Sequence, residues 1–245
     1  IDYEELPGVY DPLTALEPGA PRVHDSGNLL RSWHLRSGDI AQGFAHADVV
    51  VEHTYRTPFV DHAYLETETG IGWIDAEGVL TLRVSTQVLE HYRDVAEILR
   101  LPHGRVRLEG AYVGGGFGGK EDVTVECLLG LLVWKTRRPV QLVFSREDSF
   151  VGHGKRHPYV MRYRTGAGRD GTLVALEADL ISDSAAYAAA SPRVVLYSPV
   201  TATGPHRIPH PDERATHLPG VTGAPEALED VDQRADRFRV APRLH

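Results

Sequence analysis

Residues 111–122 read AYVGGGFGGKED, with five glycines among the six positions Gly114 to Gly119 and a charged exit at Lys120, Glu121 and Asp122. Each glycine costs conformational entropy on folding, so such a run is kept where the backbone turns sharply or another group comes very close. Its flanks set the local fold. The β-branched stretches VLTLRVST, 79–86, and RVRLEGAYV, 105–113, read as strands. Between them, in VLEHYRDVAEILR, Val88, Tyr92, Val95, Ala96 and Leu99 share one helical face, with Glu90 near its N-terminus. The order is therefore strand, helix, strand, glycine loop.

After the loop, VTVECLLGLLVW, 123–134, is apolar nearly all round, which predicts a helix buried on most sides and ended by Arg137-Arg138-Pro139. A strand VQLVF follows at 140–144, then Ser145 as N-cap with Glu147 and Asp148 in the first turn. DVVVEHTYRTP, 48–58, reads as a strand, and YVMRYRTGA with TLVALEADLISD reads as a hairpin joined by GRDG. No internal repeat is present. The fold class is α+β, with mixed sheets flanked by helices.

The glycine loop alone admits several readings. Gly114 to Lys120 satisfies G-x-x-x-x-G-K, but a phosphate loop needs a hydroxyl next, and the residue there is Glu121. Gly114, Gly116 and Gly119 fit G-x-G-x-x-G, yet the expected acidic residue comes late and no second βαβ half is evident. A tight turn packed on its own chain explains the glycines equally well.

Composition narrows the partners. A formal charge of -8 opposes nucleic-acid binding, which needs a basic footprint, and favours a small-molecule substrate. The lone Cys127 excludes an internal disulfide and any cysteine-held iron-sulfur site, and points to a reducing, cytoplasmic location. No apolar run reaches the roughly 18 residues of a membrane span, so no membrane partner is expected. His153 and His157 lie four apart without an H-E-x-x-H, which does not make a zinc motif.

Further segments decide among the readings. HAYLETE (His62–Glu68), VSTQ (Val84–Gln87), GGGFGGKED, GKRHPYVMRY (Gly154–Tyr163) and SDSAAYA (Ser182–Ala188) occur in that order. Together they resemble the molybdenum-binding subunit of the xanthine dehydrogenase and aldehyde oxidase family, over most of residues 1–210. The resemblance implies a molybdopterin-binding domain, incomplete in this chain, with the glycine loop lying against a molybdenum-molybdopterin cofactor. The cytosine dinucleotide form of that cofactor is left open. By motif position Gly116, Phe117 and Gly118 would contact the cofactor. Gln87 matches the glutamine that bonds an oxygen ligand of molybdenum. Glu121 matches the active-site glutamate that orients heteroaromatic substrates, and Glu66 would at most support from behind.

The resemblance also implies hydroxylation of a purine-like heterocycle or an aldehyde with oxygen from water. Electrons would leave to Fe-S and FAD subunits of a multi-subunit complex. The family's glutamate base and its arginine-glycine-phenylalanine-glycine segment have no counterpart here, and Arg193 does not align securely with a substrate-contacting arginine. Residues 1–30 are expected to end a preceding hammerhead-type domain and form a linker, and 31–210 to form the first cofactor-binding domain. Residues 204–245 hold six prolines and lack periodicity, so 211–245 are expected to be an irregular tail from a truncated or shifted reading frame. Exposed apolar surface is expected where the absent half docks. The alternative is a noncatalytic fragment that only folds or docks with partner subunits.

Overall fold

The computed structural model describes residues 8–184, 188 and 190–218. Residues 1–7 of the expected linker, 219–245 of the expected tail, and Ala185, Ala186 and Tyr187 of the SDSAAYA motif lie outside the described residues. By its internal contacts the chain divides into two compact units. Of the described residues, one unit comprises those up to 60 together with those from 157 onward, and the other contains 61–156.

The unit built from 61–156 carries the glycine loop. Its strands are β3 (Thr69–Ile74), β4 (Leu80–Val84), β5 (Val106–Gly110) and β6 (Val140–Val143), in the spatial order β5-β4-β3-β6. β4 and β5 are parallel, with the helix Tyr92–Leu99 (α2) as their crossover, and β3 is antiparallel to both β4 and β6. Along β4 the alternation places Leu80, Leu82 and Val84 on one face. These meet Val95 and Ala96 of α2 and Leu129 and Val133 of the helix Glu126–Thr136 (α3) in one buried cluster. That core is why the long apolar run is a helix buried on most sides, and each fully buried leucine stabilises by about 1.5–3 kcal/mol. The helix Arg146–Gly152 (α4) begins at Ser145, whose hydroxyl accepts from the Asp148 N–H while the Asp148 side chain accepts from the Ser145 N–H, a complete capping box.

The other unit is a five-stranded sheet with the order β1-β9-β8-β7-β2. Its strands are β1 (Arg31–Arg36), β2 (Val49–Thr57), β7 (Tyr159–Ala167), β8 (Leu173–Asp183) and β9 (His210–Leu218), with short helix α1 (Ile40–Ala45) and helix α5 (Ser191–Thr201). The expected hairpin is β7–β8, and α5 leads from β8 to its parallel neighbour β9. All nine residues of β2 are exposed, including Val49, Val50 and Val51.

Two boundaries differ from the sequence reading. The expected tail from 211 begins inside β9, which pairs with β1 and β8 and whose Asp212 is held by Arg36 at 2.8 Å and by His34. The expected linker is not all solvated: Val9 and Ala15 are buried with Val160 and Ile181. Among the described residues no helix is long and apolar enough to cross a membrane.

Candidate functional site

The glycine loop is tied down at both ends by side chains from the strand entrances. At its start Gly114 donates its N–H to Glu66 Oε2 at 2.8 Å, while its carbonyl accepts from the Glu66 N–H at 3.2 Å. The other oxygen of Glu66 takes a bond from Lys120 Nζ at 3.0 Å, and that ammonium also donates to Ser85 Oγ at 2.8 Å and lies 4.7 Å from the Tyr64 ring centre. Burial pushes the Glu66 carboxyl up, but the Ser85, Lys120 and Gly114 donors outweigh it and hold its pKa below the usual carboxylate value. The Lys120 side chain is fully buried, so its charge is spent inside the fold. A phosphate loop is thereby excluded, because its lysine must reach the ligand.

At the loop's exit Gln87 does the fastening. Its Oε1 accepts from Gly118 N–H at 3.0 Å and Lys120 N–H at 3.2 Å, and its own N–H donates to the Lys120 carbonyl at 3.0 Å. Both side-chain partners are donors, so the amide orientation is forced: oxygen faces the loop and the NH₂ faces away, on an exposed residue. A Cβ on Gly116 would collide with that amide oxygen. With Gly114 2.6 Å from Glu66, Gly115 2.9 Å from Tyr64 and Gly119 2.7 Å from Tyr64 at an added Cβ, every glycine of the run except Gly118 is required by the chain's own packing.

Part of the loop's backbone nevertheless has no partner within the chain, Phe117 being exposed, Gly115 half-buried and Gly116 buried. Among the described residues the N–H groups of Gly115, Gly116 and Phe117 have no hydrogen-bond partner, whereas Gly119 N–H turns back to the Gly116 carbonyl at 2.8 Å. Gly115, Phe117 and Gly118 have φ of 101°, 53° and 98°, the left-handed values that let successive amides point toward one side. At Gly118 an added Cβ would meet only His62, no nearer than 3.5 Å. Gly118 therefore offers bare surface rather than an N–H, which Gln87 already holds. In the loop and the segments next to it Leu65, Tyr112 and Phe117 are 91%, 102% and 65% exposed. Three unpartnered amides and an outward NH₂ suit an anionic group rich in oxygen, and the apolar rim suits a planar organic body.

Glu121 follows directly. Its side chain makes no hydrogen bond or ion pair among the described residues, while its carbonyl accepts from His91 Nε2 at 2.9 Å. It is half-buried, a carboxylate available to a ligand beside the loop.

Behind the loop lies a buried polar cluster that the sequence reading did not find. The Tyr64 hydroxyl donates to Glu68 Oε1, and His153 Nδ1 lies 3.1 Å from the same oxygen. Burial opposes ionisation of Glu68, but the His153 and Tyr64 hydrogen bonds win and lower its pKa to about 2. Desolvation first, then the Arg156 charge, lowers the His62 pKa to about 4, so this ring is neutral at physiological pH. His153 is thus engaged with a carboxylate, and among the described residues no group of His, Cys, Asp or Glu could hold a metal ion. Arg193 is exposed in the first turn of α5, and Cys127 is half-buried and outside any disulfide.

Comparison with known proteins shows the chain's family. The family model for the molybdopterin cofactor-binding domain matches residues 23–217. The chain is 41% identical over 211 residues to the nicotinate dehydrogenase large molybdopterin subunit of Eubacterium barkeri, covering 86% of this chain and 50% of that protein. It is 35% identical over 189 residues to the xanthine dehydrogenase molybdenum-binding subunit of Escherichia coli O157:H7, covering 76% of this chain and 25% of that protein. The aldehyde oxidoreductase structure from Desulfovibrio desulfuricans superposes with a TM-score of 0.83 at 25% identity, over 97% of this chain and 28% of that one. The chain therefore spans between a quarter and a half of the length of these relatives. With the family model covering most of the described residues and a 41% identical relative matched over 86% of the chain, the chain belongs to the molybdopterin cofactor-binding domain family of the molybdenum hydroxylases.

Proposed function

We propose that this chain is the cofactor-cradling part of a molybdenum hydroxylase that oxidises an N-heteroaromatic ring at carbon, with aldehydes as the second substrate class. The observation that carries the reading is the set of unpartnered N–H groups at Gly115, Gly116 and Phe117 beside an outward Gln87 amide. These residues would hold the molybdenum-molybdopterin group, with Gly118 as the Cβ-free surface on which it lies. The bound group supplies the two-electron redox chemistry that no side chain of this chain offers. The chain's own part is to bind, orient and exclude water. The Gln87 NH₂ donates to an oxygen of the cofactor, and the Glu121 carboxyl meets the substrate's ring nitrogen or exocyclic oxygen by hydrogen bonding. Phe117, Tyr112 and Leu65 give the planar ring an apolar wall.

The heterocycle preference is supported by relatives named for nicotinate and xanthine, both nitrogen heteroaromatics. The cytosine dinucleotide form of the cofactor, cytoplasmic Fe-S and FAD partner subunits, and a multi-subunit assembly complete the proposal. The proton acceptor of the hydroxylation would come from sequence that relatives carry outside the matched region.

The test is to purify the chain with its co-expressed neighbours, measure molybdenum and pterin, and follow dye reduction with nicotinate, hypoxanthine and benzaldehyde. Stoichiometric molybdenum with turnover of a heterocycle is expected. A folded chain with neither metal nor turnover would establish the noncatalytic alternative.

A further inference from the structure

The segment leaving the glycine loop is held from behind by a buried histidine that the chemistry proposed above does not use. His91 ends the short 3-10 turn before α2 and is 5% exposed, and Glu126 in the first turn of α3 is 0% exposed. His91 Nδ1 lies 3.1 Å from Glu126 Oε1 and 3.4 Å from Thr86 Oγ1, while Nε2 lies 2.9 Å from the Glu121 carbonyl oxygen. A carboxylate and a carbonyl only accept, so both ring nitrogens carry protons and the ring is an imidazolium. Its charge is balanced by Glu126, whose second oxygen accepts from the Thr124 N–H at 2.7 Å and hydroxyl at 3.3 Å. Burial pulls the His91 pKa down, but the bonds and charge of Glu126, the Glu121 carbonyl and the charge of Asp94 in α2 outweigh it and raise it.

We propose that His91 is a positioning residue for Glu121: by gripping the Glu121 carbonyl from the α2–α3 core it fixes the backbone from which the substrate-facing carboxylate projects. The two sides of that peptide unit show why this matters. Glu121 N–H bonds only weakly to the Gly118 carbonyl, at 3.4 Å, and the Glu121 side chain has no partner among the described residues. A carboxylate that must meet a ligand needs a free side chain on a fixed backbone, and His91 supplies the fixing bond from elements of the core. Glu126 keeps the ring charged and oriented, as a carboxylate behind a functional imidazole does. The inference rests on the substrate-facing role given to Glu121 above.

The test is a double-mutant cycle of His91→Leu and Glu121→Gln in the complete, metal-loaded enzyme, with amide hydrogen exchange on the same proteins. His91→Leu is expected to lower kcat/KM about tenfold or more, the loss of one charge-assisted hydrogen bond. In the Glu121→Gln background the same change is expected to cost less than about threefold, because its effect passes through the group already altered. Exchange over residues 119–124 is expected to rise about tenfold more than over 129–133, where local opening draws on the helix core. Should His91→Leu not fold, His91→Gln enters the same cycle under the same criterion, since its amide keeps one donor but loses the charge. Equal losses in both backgrounds, with exchange raised equally in both segments, would reduce His91 to a stabilising core residue and overturn the proposal. If the wild-type complex holds no molybdenum and turns over nothing, the exchange comparison alone decides on His91, so the two failures are told apart.

Discussion

Replacing Glu66 by alanine removes the one carboxylate that both neutralises a buried lysine and anchors the entrance of the glycine loop. Lys120 Nζ would keep the Ser85 hydroxyl at 2.8 Å and the Tyr64 ring at 4.7 Å, but neither carries a balancing charge, and Gly114 N–H would lose its 2.8 Å acceptor. Breaking one side of a buried ion pair costs roughly 3–5 kcal/mol. The Glu66 side chain is 31% exposed while that of Lys120 is fully buried, so water reaches the pair from the carboxylate side only, and the lower end, about 3 kcal/mol, applies. At about 4 °C per kcal/mol for a unit of this size, the transition falls by roughly 12 °C or more. Urea and thermal unfolding followed by circular dichroism give the number. Glu66→Gln, which keeps an acceptor for Gly114 but no charge, should fall between wild type and Glu66→Ala. The double variant Glu66→Gln/Lys120→Met should recover most of the loss, since both charges leave together. A Glu66→Ala protein within about 0.5 kcal/mol of wild type, the range of an ordinary surface change, would refute the buried clamp.

The two ends of the Gln87 amide can be separated. Gln87→Glu keeps an acceptor for Gly118 and Lys120 N–H but has no donor to offer outward, so turnover should fall by tenfold or more with the melting temperature nearly unchanged; Gln87→Ala should lose turnover and about 1–2 kcal/mol of stability. Normal turnover in Gln87→Glu would remove the assigned role. Stability should also fall with acid in two stages. His62 and His157, each with a folded pKa lowered to about 4 chiefly by burial, take up protons in the unfolded chain first, so stability is full above pH 6.5 and declines from there toward 4. Glu68, lowered to about 2, contributes stability present above pH 4.5 and lost between 4.5 and 2, and Glu68→Gln should flatten that second stage in a pH series of urea midpoints.

The sequence made the loop's surroundings legible because they follow the simple periods. The strand, helix, strand order of β4, α2 and β5 and the apolar α3 appear where alternation and helical spacing place them. β3 escaped notice because Gly70 and Gly72 interrupt its apolar pattern; at Gly72 a side chain would sit 3.0 Å from Val133 of α3, so the strand gives up side chains to let the helix approach. β9 was hidden for the opposite reason: Asp212 and Glu213 look solvated in a linear pattern, yet both are buried, Asp212 through Arg36 and His34 some 176 and 178 residues away along the chain. The resemblance pointed to Gln87, Gly116, Phe117, Gly118 and Glu121 as a group, and the structure gathers them within one unit. Neither the orientation of Gln87 nor the capture of the Gly118 amide is written in the motif, since both depend on which N–H groups the folded loop turns inward. The Glu66–Lys120 and His91–Glu126 pairs span 54 and 35 positions, so no local pattern in the sequence joins them.

The most direct measurement is the molybdenum content of a Gly118→Val variant, in the complete complex, beside Gly27→Val as a control of matched backbone strain. Both glycines have φ near 98°, at 98° and 97°, and neither has a neighbour within 3.4 Å of an added Cβ, so both substitutions load the backbone alike. If the loop's bare face is the cofactor's seat, Gly118→Val stays folded with molybdenum reduced to a small fraction while Gly27→Val keeps it at stoichiometry. Full molybdenum in Gly118→Val would contradict that placement.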